Sequence, residues 1–255
     1  MAESSRRRTH NPLAVTAAPL LARFLHVRRN ELDRTLQVAG FAIVLGWAMY
    51  TAFNATQAIF LAKAGPHAYP LFFIILALAV WPAVALQGIV VRKLGAGRAL
   101  RLSLALNVLM ATGLYIAYRI SESAVVSFTA YVVYSVAFEV VMLQFWVFVS
   151  QHFNLLEGKR IFPVIAAASS IGYIFAGLTT TLVALYATEL LMFVWAFGAL
   201  VADTMSYAMR RSYGADIEAH WYIGRYVLPG NVEKVILKPK ALPYASEPPA
   251  LSPYR

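Results

Sequence analysis

The chain has 255 residues, 60% of them hydrophobic and only 13% charged, and its net charge is +10. Soluble domains carry about 25% charged residues, so this composition excludes a water-soluble globular protein and points to the lipid bilayer as the surroundings. The absence of cysteine excludes disulfides, Cys-ligated zinc and thiol nucleophiles.

Residues 1–35 are polar and basic, with Arg6, Arg7, Arg8, Arg23, Arg28, Arg29 and Arg34. One reading is the charged region of a targeting peptide. The other is a cytoplasmic segment leading into a short interfacial helix over residues 22–35, with Arg28 and Arg29 at anionic head groups. Pro19 and Arg23 interrupt the apolar run from Leu13 to Leu25, which favours the second.

Six apolar stretches follow, each close to the roughly 20 residues that cross a bilayer core of about 30 Å. The first covers residues 36–62. Tyr50, Asn54 and Gln57 recur in it at helical spacing and give it one polar side. Such side chains either bond a neighbouring helix or line a substrate path. The second stretch, 69–91, contains Pro82, which a spanning helix tolerates as a kink. A basic loop with Gly95 and Gly97 leads to the third, 99–118.

The fourth stretch, 124–150, carries Ser135, Glu139, Trp146 and Ser150 on one side. A charged side chain at the centre of a span costs about 3 kcal/mol on insertion scales. Glu139 is therefore either a coupling or substrate-sensing carboxylate facing a water-filled path, or a carboxyl bonded to a neighbouring helix. A polar turn over 151–160 contains Lys159 and Arg160, read either as topology determinants or as a cytoplasmic gate and anion contact. The fifth stretch, 161–186, repeats Ala168, Gly172 and Ala176 every fourth residue, a spacing that lets helices approach closely. The sixth, 189–209, has Asp203 near its inner end.

Beyond Arg210 and Arg211 no run is long enough to span. Trp221–Leu228 and Val232–Leu237 flank Pro229-Gly230-Asn231, the pattern of a hairpin. From Pro239 onward the chain is rich in proline and reads as extended. The expected organisation is a basic segment over 1–35, a membrane domain over 36–209 and a cytoplasmic tail over 210–255.

Charge orients the whole. Of the 22 Lys and Arg residues, only Lys63 and Arg119 fall in turns on the far side of the six-span arrangement. The positive-inside rule then places both termini in the cytoplasm. The net charge reports loops rather than a nucleic-acid partner. His10, His26, His67, His152 and His220 are scattered, and neither H-E-x-x-H nor G-x-S-x-G occurs. No enzyme activity, catalytic residue, metal site or cofactor is expected.

Six spans with a basic, glycine-containing loop between the second and third resemble one half of a major facilitator superfamily transporter. Gly88, Lys93, Gly95 and Arg98 fit the loop pattern of that superfamily with one residue inserted, and Arg92 stands at its aspartate position. Phe145-Trp146, then Glu157-Gly158-Lys159-Arg160-Ile161-Phe162, then a helix of small residues, is similar to the ATP/ADP translocase type of nucleotide transporter. The resemblance covers about residues 28–209. It implies exchange of a small anionic solute such as a nucleotide, through a path between two six-helix halves. Only one half is present here, so it also implies a homodimer or a partner membrane subunit. Its site residues would be Glu139, Asn54, Gln57, Tyr50 and Ser135 along the path, and Lys159 and Arg160 at the gate. The expected setting is a bacterial inner (plasma) membrane. The alternative is a scaffold or accessory subunit that transports nothing and docks a partner through its tail.

Overall fold

The structure, a computed structural model, describes residues 31–226 except Glu122 and Asn154, with backbone alone for Leu155 and for 212–226. Every regular element among them is helical. The order is α1 (Leu32–Ala64), α2 (Tyr69–Leu94), α3 (Ala96–Ile120), α4 (Ala124–Ser150), α5 (Leu155–Ala184) and α6 (Leu191–Tyr226). Single 3-10 turns at Pro66–Ala68 and Thr188–Leu190 precede α2 and α6. All six helices are long and apolar enough to cross a membrane, and the chain is an integral membrane protein.

Two glycines make the turns that bracket α2. Gly65 has φ +77° and Gly95 φ +79°, a region that disfavours any residue with a Cβ. Gly95 alone separates α2 from α3. The expected basic loop between the second and third stretches is therefore helix on both sides of one residue. Arg92 and Lys93 end α2, and Arg98 and Arg101 lie in the first two turns of α3. The N-terminus of α4 is capped by Ser123, whose hydroxyl accepts from the Val125 N–H at 3.2 Å, satisfying one of the four free donors of a helix start.

Lipid exposure sorts the helices. On α2, Leu78 is 71% exposed and Trp81 80%, which suits hydrocarbon and would be costly in water. The central helix is α1, where Val38, Phe41, Ala48, Met49, Ala52 and Ala55 are fully buried. It packs on both α5 and α4.

Small residues set those distances. A Cβ on Gly172 would sit 2.3 Å from the Ile43 carbonyl oxygen and 2.8 Å from the Trp47 nitrogen. One on Gly46 would sit 2.8 Å from the Ser169 carbonyl oxygen. Ala168, Gly172 and Ala176 are all buried, so the repeat is a packing device between α5 and α1. On α6, a Cβ on Gly198 would meet Ala48 Cβ at 2.6 Å.

Several Ser and Thr hydroxyls inside the spans are satisfied within their own helix. Thr51, Thr56, Ser135, Ser169 and Thr180 each donate to the carbonyl four residues earlier. This removes the cost of an unpaired donor in hydrocarbon.

Two further expectations are corrected. The polar turn is shorter than 151–160: α5 begins at Leu155, so Glu157, Gly158, Lys159 and Arg160 are helical. Glu157 lies in the first turn, where a carboxylate complements the helix dipole. Nor is there a strand from Trp221, because α6 continues to Tyr226. Extending an existing helix adds a hydrogen bond per residue, and Ile223 is the only β-branched residue from Trp221 to Tyr226 to favour a strand. Residues 227–237, and all of 1–30, lie outside the described residues. Residues 215–255 form a second unit, described only as helical backbone to Tyr226.

Candidate functional site

Apart from Lys63 and Arg119, the described Lys and Arg side chains lie near the starts of α1, α3 and α5, at the end of α2 and on α6 at Arg210 and Arg211. The structure separates Lys159 from Arg160. Lys159 is exposed and forms no ion pair among the described residues. Arg160 Nη2 contacts both carboxylate oxygens of Glu31, at 3.3 and 3.4 Å. The Glu31 side chain is only 8% exposed. Arg34 Nη1 donates to the His152 carbonyl at 2.7 Å. Together these contacts fasten the start of α1 to the α4–α5 turn. The His152 ring is buried, with Nδ1 2.8 Å from the Phe148 carbonyl, and burial lowers its pKa from the usual value. A second pair joins α3 to α6: Arg101 Nε lies 3.0 Å from Asp203 Oδ1, and the guanidinium sits 4.8 Å above the Tyr207 ring.

The polar side of α1 is taken up by neighbouring helices. Asn54 Nδ2 donates to Thr180 Oγ1 on α5 at 3.1 Å. Two turns earlier on α1, Trp47 Nε1 donates to Thr179 Oγ1 at 2.9 Å. Gln57 Nε2 donates instead to the Tyr69 hydroxyl on α2, at 2.8 Å. Tyr50 stacks on Tyr173 of α5, with ring centroids 3.8 Å apart. Asn54, Gln57 and Tyr50 are thus not gathered into one group. Asn54 and Tyr50 face α5, and Gln57 faces α2. Ser135 is buried and bonds within α4.

Glu139 does not turn into the six-helix core. It is exposed and has no hydrogen bond or ion pair among the described residues. At 1.5 Å per residue it lies about 16 Å from the Ser150 end of α4 and about 22 Å from the Ala124 end, near the middle of the span. Beside it, Phe138 meets Tyr50 edge-on at 5.8 Å. Tyr50, Phe138 and Tyr173 thus bring one half-buried ring each from α1, α4 and α5. The buried Tyr134 hydroxyl donates to the Met49 carbonyl. Nearer the basic end, Trp146 of α4 meets Phe162 of α5 at 5.9 Å.

The outward side of α5 carries Ala166, Ser170, Gly177 and Thr181, all exposed. Their spacing of four, seven and four residues places them on one side. Tyr173 falls in the same sector by the same period. Glu139 on α4 and the small-residue stripe on α5 are thus both exposed, and Tyr50 of α1 lies between Phe138 of α4 and Tyr173 of α5.

Sequence reasoning passed over three amides. Gln87 on α2, Asn107 on α3 and Gln144 on α4 are buried, and their side-chain oxygens have no hydrogen-bond partner among the described residues. An amide inside an apolar span was the available signal. No group of three His, Asp or Glu side chains suited to a metal ion occurs among the described residues.

Comparison with protein-family models, curated proteins and solved structures found no significant match. The fold by itself defines an all-helical, polytopic membrane protein.

Proposed function

We propose that this chain is a six-helix unit of a secondary transporter, and that a second copy completes it by covering the outward side of α4 and α5. One observation carries the reading: Glu139 is exposed in the middle of a span. A carboxylate there is costly against lipid, so protein and trapped water must cover it. The stripe Ala166, Ser170, Gly177, Thr181 supports the same assignment. Small residues let backbones approach, and a stripe meeting its own copy about a two-fold axis is self-complementary. Two copies would supply the twelve helices of a two-halved transporter, with both termini in the cytoplasm of a bacterial cell.

In this reading Glu139 is the coupling group and lies on the wall of the path. Tyr50 and Asn54 serve chiefly to hold α5 against α1. Exposed Lys159 is the gate contact for an anionic solute such as a nucleotide, the cargo that the resemblance implies. Arg160 is held by Glu31 and acts structurally. Uptake into proteoliposomes tests the role of Glu139. Glu139→Gln should reconstitute normally while losing most solute exchange, or its dependence on pH. A variant that reconstitutes and exchanges like the parent would overturn the assignment.

A further inference from the structure

Nothing basic lies near the middle of the described spans. Arg34, Lys63, Arg92, Lys93, Arg98, Arg101, Arg119, Lys159, Arg160, Arg210 and Arg211 all fall within about two turns of an end of their span. Among the described residues the one carboxylate or basic side chain near mid-span is Glu139, and it directly follows Phe138, which belongs to a cluster of rings. Tyr50 and Tyr173 are stacked at 3.8 Å, Phe138 is edge-on to Tyr50 at 5.8 Å, and Phe53 lies 5.8 Å from Tyr50. All four rings are partly exposed. A nucleotide phosphate placed here would meet a like charge and the negative faces of aromatic rings, with no cation to neutralise it.

The same groups suit the opposite charge. A ring face attracts a cation through its quadrupole, and most strongly out of water. A carboxylate supplies the counter-charge that makes such a site worth occupying in a low dielectric. We infer that Glu139, with Tyr50, Phe138 and Tyr173, forms a mid-membrane site for an apolar monovalent organic cation of the quaternary ammonium or phosphonium class. The inference rests on the proposal that Glu139 lines a covered path. It separates the mid-membrane ligand from the anionic solute that the resemblance implies.

The test uses the full-length chain in lipid nanodiscs and radiolabelled tetraphenylphosphonium as the probe. Saturable binding is expected. Glu139→Gln should weaken it at least about tenfold, the size of one contact to a charged group. Tyr173→Leu should weaken it about threefold, the size of a partly exposed cation–π contact, while Tyr173→Phe, which keeps the ring, should bind as the parent does. Excess ADP should leave binding unchanged. Binding that is absent in the parent, or equal in parent and Glu139→Gln, would overturn the inference. So would displacement by ADP. Cysteine cross-linking between copies is scored separately, so loss of the cation site and loss of the two-copy assembly are distinguishable.

Discussion

Arg160 and Lys159 are adjacent basic residues with different work. Arg160 holds a Glu31 side chain that is 8% exposed, at 3.3 Å. Removing it leaves a buried carboxylate with a lost partner, a cost of about 1–3 kcal/mol. Lys159→Ala should change stability by less than about 0.5 kcal/mol, as surface substitutions do. Thermal unfolding in detergent should therefore rank Arg160→Ala clearly below Lys159→Ala, and equal values would remove Glu31 as the reason. His152 makes a prediction about pH. Burial lowers its pKa; the Phe148 carbonyl opposes this, and the Arg34 charge adds to it. Above about pH 6.5, the ordinary histidine value, the ring is neutral in both folded and unfolded chains. As pH falls below it the unfolded chain takes the proton first, so stability is lost. The melting temperature should drop from pH 7.5 to pH 5.5 in the parent and drop less in His152→Gln. A equal drop in both would mean that other groups govern the acid limb. Neither role was legible in the sequence. Arg160 gets its role from Glu31, 129 positions away, and nothing local separates it from Lys159. Glu139 was legible as a charge in an apolar span. Its direction was not, because α4 is apolar on nearly every side and its periodicity selects no outward side.

At the scale of helices, periodicity and spacing did better. The six stretches lie within the six helices or overrun their ends by only a few residues. The small-residue repeat of α5 marked a close approach to α1, and the Gly172 geometry makes this testable. Gly172→Ala forces a methyl against the Ile43 backbone at 2.3 Å. Backbone cannot swing away, so α1 and α5 must separate, at about 1–3 kcal/mol or more. Gly113 on α3 is the control, since a Cβ there meets nothing within 4 Å. Gly113→Ala should be neutral or raise stability by up to about 1 kcal/mol through helix propensity. Similar melting temperatures for the two variants would contradict the close α1–α5 contact. Helix ends were read less well. The charged run from Glu157 to Arg160 looked like a turn, because polarity at a membrane surface marks a loop or a protruding helix end equally. The aromatic residues from Trp221 suggested a strand, and the running helix overrode that preference.

For the whole molecule, membrane class followed from composition alone, and the six-span count followed from apolar length. What covers the outward side of α4 and α5 did not, because one chain carries only one side of that contact. The central claim is that a second copy lies there. The chain has no cysteine, so single cysteines can be placed cleanly. Cysteines at Ala166, Ser170 and Gly177 sample the small-residue stripe, and Thr112→Cys on exposed α3 is the control. Oxidation in native membranes, before detergent is added, should give a covalent product of twice the 28.1 kDa chain mass from at least one stripe position and none from Thr112→Cys. Only single-chain product from all three stripe positions, with their thiols freely labelled from the lipid phase, would contradict the account.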